Sequence, residues 1–217
     1  MKSVLCKGVG VIVTASVVLV GGMGQTKAEV IVSPVSGTTT MGEAFALSHS
    51  YDHSGLLSNF TSGVTDFATY IAGNPQHDSE PGNDWVSNTT SGVTVYDLGS
   101  LLSVDKVAIW NFGGLGGNTS FATTQVTVEA SANPGFTSPT NLGTFNLSVF
   151  ATTNPAQVFG FPTVAAEFFR FENFQSNGAG ALGLGEVAFA ATPEPSSVVL
   201  FGLGLAGLVG RRRKRSH

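Results

Sequence analysis

The sequence predicts an all-β sandwich, and three observations carry that expectation. Residues 29 to 192 are rich in Thr, Val, Phe and Gly and poor in Lys and Glu, a composition suited to half-buried pleated surfaces. Short apolar runs recur in this stretch between turn residues, with period-two alternation and little helical periodicity. The stretch is also long enough for one core, since a domain of ~150 residues buries ~70% of its unfolded surface.

The first element precedes the sandwich. Lys2 and Lys7 give a basic start, Val9 to Val20 is almost wholly apolar, and Gly21 to Ala28 supplies small and polar residues. This is the pattern of an export signal helix over residues 1–28, with secretion machinery and signal peptidase as partners and Thr26-Lys27-Ala28 as the cleavage site. An apolar run of ~12 residues is short for a ~30 Å hydrocarbon core; an uncleaved anchor is the alternative. Cleavage would leave Glu29 at the N-terminus. The only cysteine, Cys6, lies within the signal, so the mature chain would have no disulfide, no cysteine nucleophile and no cysteine-ligated zinc.

Strands then follow in order. In residues 92–100 Val93 and Val95 alternate with Thr94 and Tyr96, and residues 106–112 form a nearly continuous apolar strand ended by the glycine loop at 113–117. Residues 125–131 put Val126, Val128 and Ala130 on one face and Thr127 and Glu129 on the other. Residues 156–161, 167–174 and 185–191 complete the series, with Phe169 and Phe171 expected to point inward. The frames at 59–66 and 88–95 share six of eight residues but diverge afterwards; they read as two similar turns into strands, since true repeats stay similar over longer periods.

The charge distribution restricts function. Residues 29–192 hold two basic residues, Lys106 and Arg170, against thirteen acidic ones, a net charge of −11. Phosphate backbones would repel such a body, which excludes nucleic acid as a partner. Enzymatic motifs are missing. His49 and His53 are spaced like helical zinc ligands but lack the Glu that would follow the first. The chain has no Gly-x-Ser-x-Gly elbow. Residues 113–117 lack the Lys-Ser/Thr of a phosphate loop. No catalytic residue is assigned.

The landmarks of this body resemble, in order, those of discoidin-type (coagulation-factor type C) domains, the galactose-binding-like jelly rolls. They are Trp85 and Ser87, Asp97-Leu98-Gly99, Val107 to Trp110, Val126 to Ser131, Ala166 to Phe171 and Glu186-Val187, covering about residues 59–190. The resemblance implies a jelly-roll sandwich that binds carbohydrate or lipid headgroups through loops at one end. It also implies a structural calcium ion, with Asp66 and Glu186 as candidate ligands; oxygen donors and an acidic body suit calcium. The sequence departs from the family here, because Asp66 precedes Phe67 and Trp85 follows only after an insertion. The alternative is that Asp66 is a loop carboxylate and Glu186 an ordinary strand residue. Trp85 and Trp110 serve either as core or as sugar-stacking platforms. Three loops, 74–84, 111–120 and 175–180, could meet a glycan. The first holds the densest polar cluster, His77, Asp78, Glu80, Asn83 and Asp84, which would either hydrogen-bond sugar hydroxyls or simply be solvated.

The C-terminus carries a second membrane signal. Ser196 to Gly210 has no charge and as a helix would be ~22 Å long. The basic cluster Arg211, Arg212, Arg213, Lys214 and Arg215 would stay cytoplasmic. Pro193, Glu194 and Pro195 precede the apolar run; prolines cannot join a helix interior and hold the chain extended. The three parts together, over 193–217, resemble the PEP-CTERM sorting signal of Gram-negative bacteria. That resemblance implies a membrane-embedded exosortase as partner, cleavage near the triplet, and delivery to the cell surface or exopolysaccharide matrix. Two roles remain open: a non-catalytic carbohydrate-binding module, and a structural matrix protein with no specific ligand; a polysaccharide hydrolase ranks below both.

Overall fold

The computed structural model describes residues 28–78, 80, 82–113, 118–152 and 154–192. The expected signal helix, the apolar run at 196–210 and the sorting residues Pro193 to Arg215 lie outside them.

Two long strands organise the fold. β5 (Thr94–Asn111) and β9 (Gln157–Ser176) each run through both sheets. Their register breaks between Asp97 and Leu102 and again between Val104 and Lys106. On one side of this corner, β1 (Val30–Val32) pairs with β10 (Gly183–Thr192), β10 with the second half of β5, and that half with the first half of β9. On the other side, β2 (Ser36–Thr39) pairs with the first half of β5, which pairs with the second half of β9. β6 (Thr123–Ser131) and β7 (Thr140–Asn146) then extend the sheet. All of these ladders are antiparallel, and folding both long strands over one corner turns a single ladder into two facing sheets.

The runs at 92–100 and 106–112 are therefore one strand rather than two. Pairing with β9 on both sides of the corner joins them, and the bend itself is local: Gly99 adopts φ +76°, and its N–H donates to Asp97 Oδ1 at 2.7 Å, a side-chain turn that bends the strand. The runs at 156–161 and 167–174 likewise fuse into β9.

Between the sheets lies the main core. Val107, Ile109, Val187 and Phe189 face Tyr96, Val126, Val128, Phe169 and Phe171, all fully buried. Phe169 and Phe189 meet across the gap at 4.2 Å between centroids, and Tyr96 packs edge-on to Phe171 at 5.1 Å. The predicted inward faces of β6 and β9 are the observed ones.

A smaller layer covers the outside of the first sheet. Ile31, Ala108, Trp110, Ala188 and Ala190 pack against Leu56, Phe60, Phe67 and Tyr70. Phe67 and Tyr70 come from α1 (Phe67–Ala72), whose N-cap Asp66 accepts the Thr69 N–H on Oδ1 at 2.7 Å. The frame at 59–66 thus leads into a helix, where a strand was expected, while its counterpart at 88–95 leads into β5. The residue closing the frame decides: Asp66 caps, whereas Val95 continues a ladder. Two further two-residue strands, β3 (Gln76–His77) and β8 (Asn154–Pro155), pair with each other. β4 (Trp85–Val86) pairs with the start of β10.

Trp85 and Trp110 are both fully buried. Trp110 Nε1 donates to Pro75 O at 3.0 Å. Both tryptophans are core residues, so neither offers a face to a sugar.

Candidate functional site

An open cleft of about 510 Å³ lies at the end of the sandwich where β10 begins. Its walls are Ala44, Phe45, Val86, Phe112, Phe121 and Ala181, with Ser87, Asn88 and Asn118 supplying polar groups. Ala44 and Phe45 donate their N–H groups to Val86 O at 2.7 and 3.2 Å, a pairing that leaves the Phe45 ring 38% exposed. Phe112 is fixed from behind: its N–H donates to Asn111 Oδ1 at 2.8 Å, and its ring meets Phe121 edge-on at 6.0 Å.

The polar groups differ in what they can still do. Ser87 Oγ donates to Thr89 O at 2.7 Å and accepts from Leu182 N at 3.0 Å, so it is committed to the fold. Asn118 Oδ1 accepts from Ser120 N and Oγ at 3.0 and 2.7 Å, which leaves its NH2 to donate elsewhere. Asn88 is exposed, and its carboxamide lies against Gly42; a Cβ there would come within 2.5 Å of Nδ2 at a backbone φ of +72°. Glycine at 42 therefore makes room for the Asn88 amide. Aromatic rings beside amide donors, with no charged side chain among the described lining residues, suit a ligand having both an apolar face and hydroxyl groups.

This cleft draws on the expected loop at 111–120 and lies next to the one at 175–180. The loop at 74–84 behaves differently and requires a correction. His77 and Asp84 are buried, 0% and 1% exposed, and so cannot reach a sugar from the surface. Their burial follows from pairing: His77 lies opposite Asn154 in the β3–β8 ladder and opposite Leu56 in a bridge. Its ring is clasped between Gly55 and Gly185, where an added Cβ would approach ring atoms to 2.1 and 2.8 Å. The exposed members are Glu80, with Asp78 and Asn83 half-buried; Asp78 Oδ1 accepts from Asn83 Nδ2 at 3.0 Å and from Glu80 N at 3.3 Å.

Burial sets the protonation of this region. Asp84 is pushed up to about 8, by loss of solvation first and the neighbouring Asp78 charge second. Burial lowers His77 and so favours its neutral form. His77 Nδ1 lies 2.8 Å from Asp78 O and 3.5 Å from Asp84 Oδ1. Loss of solvation also raises Glu186 well above the ordinary carboxyl range.

The expected calcium pair is not brought together. Asp66 bridges to Val30, which lies opposite Ala191, five residues along β10 from Glu186, or about 16 Å at ~3.3 Å per residue. Calcium–oxygen distances near ~2.4 Å cannot span that separation. Asp66 is occupied as a helix cap, and Thr69 holds its carboxyl below the usual range. Glu186 is buried, with Oε2 accepting from His53 N at 3.0 Å and Oε1 without a partner. Among the described residues no three His, Cys, Asp or Glu side chains converge to hold a metal ion.

Residues 191–214 match the model of the PEP-CTERM protein-sorting motif. The chain carries a PEP-CTERM sorting motif. Sequence reading placed that signal at 193–217; the match starts two residues earlier, inside β10. Among the described residues no helix is long and apolar enough to cross a membrane. No curated protein matches the sequence.

Among solved structures, a truncated AlyQ with CBM32 and alginate lyase domains superposes with a TM-score of 0.50 at 17% identity, over 77% of this chain and 35% of that one. This chain thus spans about a third of that protein's length. A GH31 CBM32-2 domain bound to GalNAc gives 0.49 at 13% identity, over 74% and 97% of the two chains. The family 32 CBM of C. perfringens NanJ, in complex with galactose, gives 0.45 at 14%, over 76% and 98%. At such identities the first likeness shows the fold, the all-β sandwich expected from the sequence.

The sequence did not single out Phe45, Asn88 or Phe121. Asn88 begins an Asn-Thr-Thr triplet that reads as chance in a Ser- and Thr-rich chain. Phe45 and Phe121 join the cleft only through the pairing of distant segments.

Proposed function

We propose that this is an exported, surface-sorted protein whose sandwich binds carbohydrate without catalysing its breakdown, in the cleft bounded by Phe45, Phe112 and Phe121. The observation that carries this reading is the cleft itself: exposed aromatic surface beside the amides of Asn88 and Asn118, with no charged group in its described lining. A non-catalytic role is supported by that same chemistry, since most glycoside hydrolases use a pair of carboxyl groups flanking the bond they cleave. The sorting motif supports export and processing by an exosortase, and placement at the cell surface or in the exopolysaccharide matrix.

The test is a glycan array followed by calorimetry on the best ligand. Phe45→Ala should weaken binding about tenfold, the loss of ~1.4 kcal/mol expected when one aromatic contact is removed. Asp78→Ala, in the loop first expected to bind, should leave affinity unchanged. Absence of any glycan ligand would overturn the reading in favour of a structural matrix protein. Affinity that survives Phe45→Ala but falls with Asp78→Ala would move the site to the 74–84 loop.

A further inference from the structure

β10 links the two ends of the sandwich. It begins at Gly183, beside the aromatic cleft, and ends at Thr192, opposite Ser103. Ten residues of strand cover about 33 Å. The Thr192 end is where β5 turns its corner through Leu98 to Leu102 and where β1 begins.

This end exposes apolar groups. Leu101, at the tip of the corner, is 51% exposed, and Val35 is 66% exposed. Val35 is fixed there, its N–H donating to Asp97 O at 2.8 Å and its side chain covering Gly99, where a Cβ would lie 2.9 Å from it. Glu29, Asp105 and Asp97 at the same end have partners, while Glu167, between Ala166 and Phe168 beside the corner, has no ion pair or side-chain hydrogen bond among the described residues. Lys106 Nζ lies 2.8 Å from Glu29 Oε2 and 2.9 Å from Asp105 Oδ1, and Asp97 accepts from Gly99 N and Ser36 Oγ. An apolar tip with three of its carboxylates engaged meets a lipid surface at lower cost than one with all of them open.

Chain length supplies the occupant. Only Pro193, Glu194 and Pro195 separate the last strand residue from Ser196, the first residue of the uncharged run. The chain from Thr192 to Ser196 reaches at most ~14 Å. The headgroup layer is ~5–8 Å deep on each side of the hydrocarbon core. If Ser196 begins the membrane segment, the Thr192 end lies on or in that layer.

We propose that the corner formed by Val35 and Leu101 is a lipid-facing surface. Before processing, the sandwich stands on the bilayer with this end in the headgroup layer and the aromatic cleft directed outward, about 33 Å away. The proposal rests on residues 196–210 entering a membrane. Processing near the triplet then removes the reason for this orientation and frees the corner.

The test uses the full chain with Cys6→Ser, carrying either Leu101→Cys or Gly180→Cys and an environment-sensitive fluorophore. Gly180 lies near the cleft end, with open space around its Cβ direction. Vesicles of phosphatidylethanolamine and phosphatidylglycerol contain headgroup spin-labelled lipid as quencher. Flotation with vesicles, loss of fluorescence at 101 and none at 180 is the expected result. Flotation with equal quenching at both positions, or none at 101, overturns the orientation and leaves the membrane reading intact. Failure to float overturns the membrane reading and the orientation with it. A spacer of about ten Gly and Ser residues between Thr192 and Pro193 should abolish quenching at 101 while flotation persists; quenching that survived it would overturn the tether argument.

Discussion

Asn111 and Asn154 are both fully buried asparagines in neighbouring strands, and the fold treats them in opposite ways. Asn111 uses its whole carboxamide. Nδ2 donates to Thr123 O at 2.7 Å and Ser148 O at 2.9 Å, and Oδ1 accepts from Phe112 N at 2.8 Å and Thr123 N at 3.0 Å. Asn154 has no partner within the protein on either side-chain atom. The same holds for His77 Nε2, opposite it in the ladder, while buried Asp84 has only weak polar neighbours, with Oδ1 3.5 Å from His77 Nδ1. One polar group locks β5 to β6 and sets Phe112 in the wall of the cleft; the other group of residues closes a surface layer at a cost of ~1–3 kcal/mol per unpartnered group. A buried polar residue is thus a strut or a burden according to its bonds, and residue type does not distinguish them.

The same substitution at both positions makes this contrast measurable. Asn111→Leu should have the largest effect, a loss of about 3 kcal/mol or more in urea denaturation, because it strands two backbone N–H groups and two carbonyls in the interior. Asp84→Asn should act through pH. The Asp84 carboxyl, at about 8, keeps its proton in the folded chain while the unfolded chain ionises near the ordinary value of 3.8. Its folded state therefore binds more protons between about pH 4 and about pH 8, and stability falls as pH rises across that window. Glu186 is shifted the same way. Asp84→Asn should flatten the decline in melting temperature between pH 5 and pH 8, with Glu186 supplying what remains; an undiminished slope would show that Asp84 has a partner in solution. The smallest effect belongs to Asn154→Leu, expected within ~1 kcal/mol of the parent and on the stabilising side. A loss comparable to that of Asn111→Leu would erase the contrast.

Legibility followed the range of the interactions involved. The inward positions Val126, Val128, Phe169 and Phe171 were readable because alternation along one strand reflects one buried face. The fusion of two apolar runs into β5 was not readable: Asp97-Leu98-Gly99 is as good a strand ending as it is a corner, and only the pairing with β9 on both sides of it decides. The helix at 67–72 escaped because six residues give too little periodicity, although its cap, Asp66, was in view and assigned to calcium. The 74–84 loop misled for the opposite reason. Its polar residues suggested solvent, yet the short β3–β8 ladder and the two glycines around the His77 ring draw His77 and Asp84 inside. Such contacts join residues far apart in the chain and leave no local pattern.

β10 is a central strand, bonded to β1 on one side and to β5 on the other, and it ends where the sorting motif begins. If, before processing, the chain were held at its tail while the proposed cleft held a glycan, the pull would run along that strand. Antiparallel hydrogen bonds run perpendicular to the strands they join, so a pull on Thr192 loads the flanking ladders in shear, many bonds at once, instead of unzipping them singly. The sorting motif thus continues from a strand bonded on both sides, the arrangement in which a pull along the chain would meet the most hydrogen bonds together.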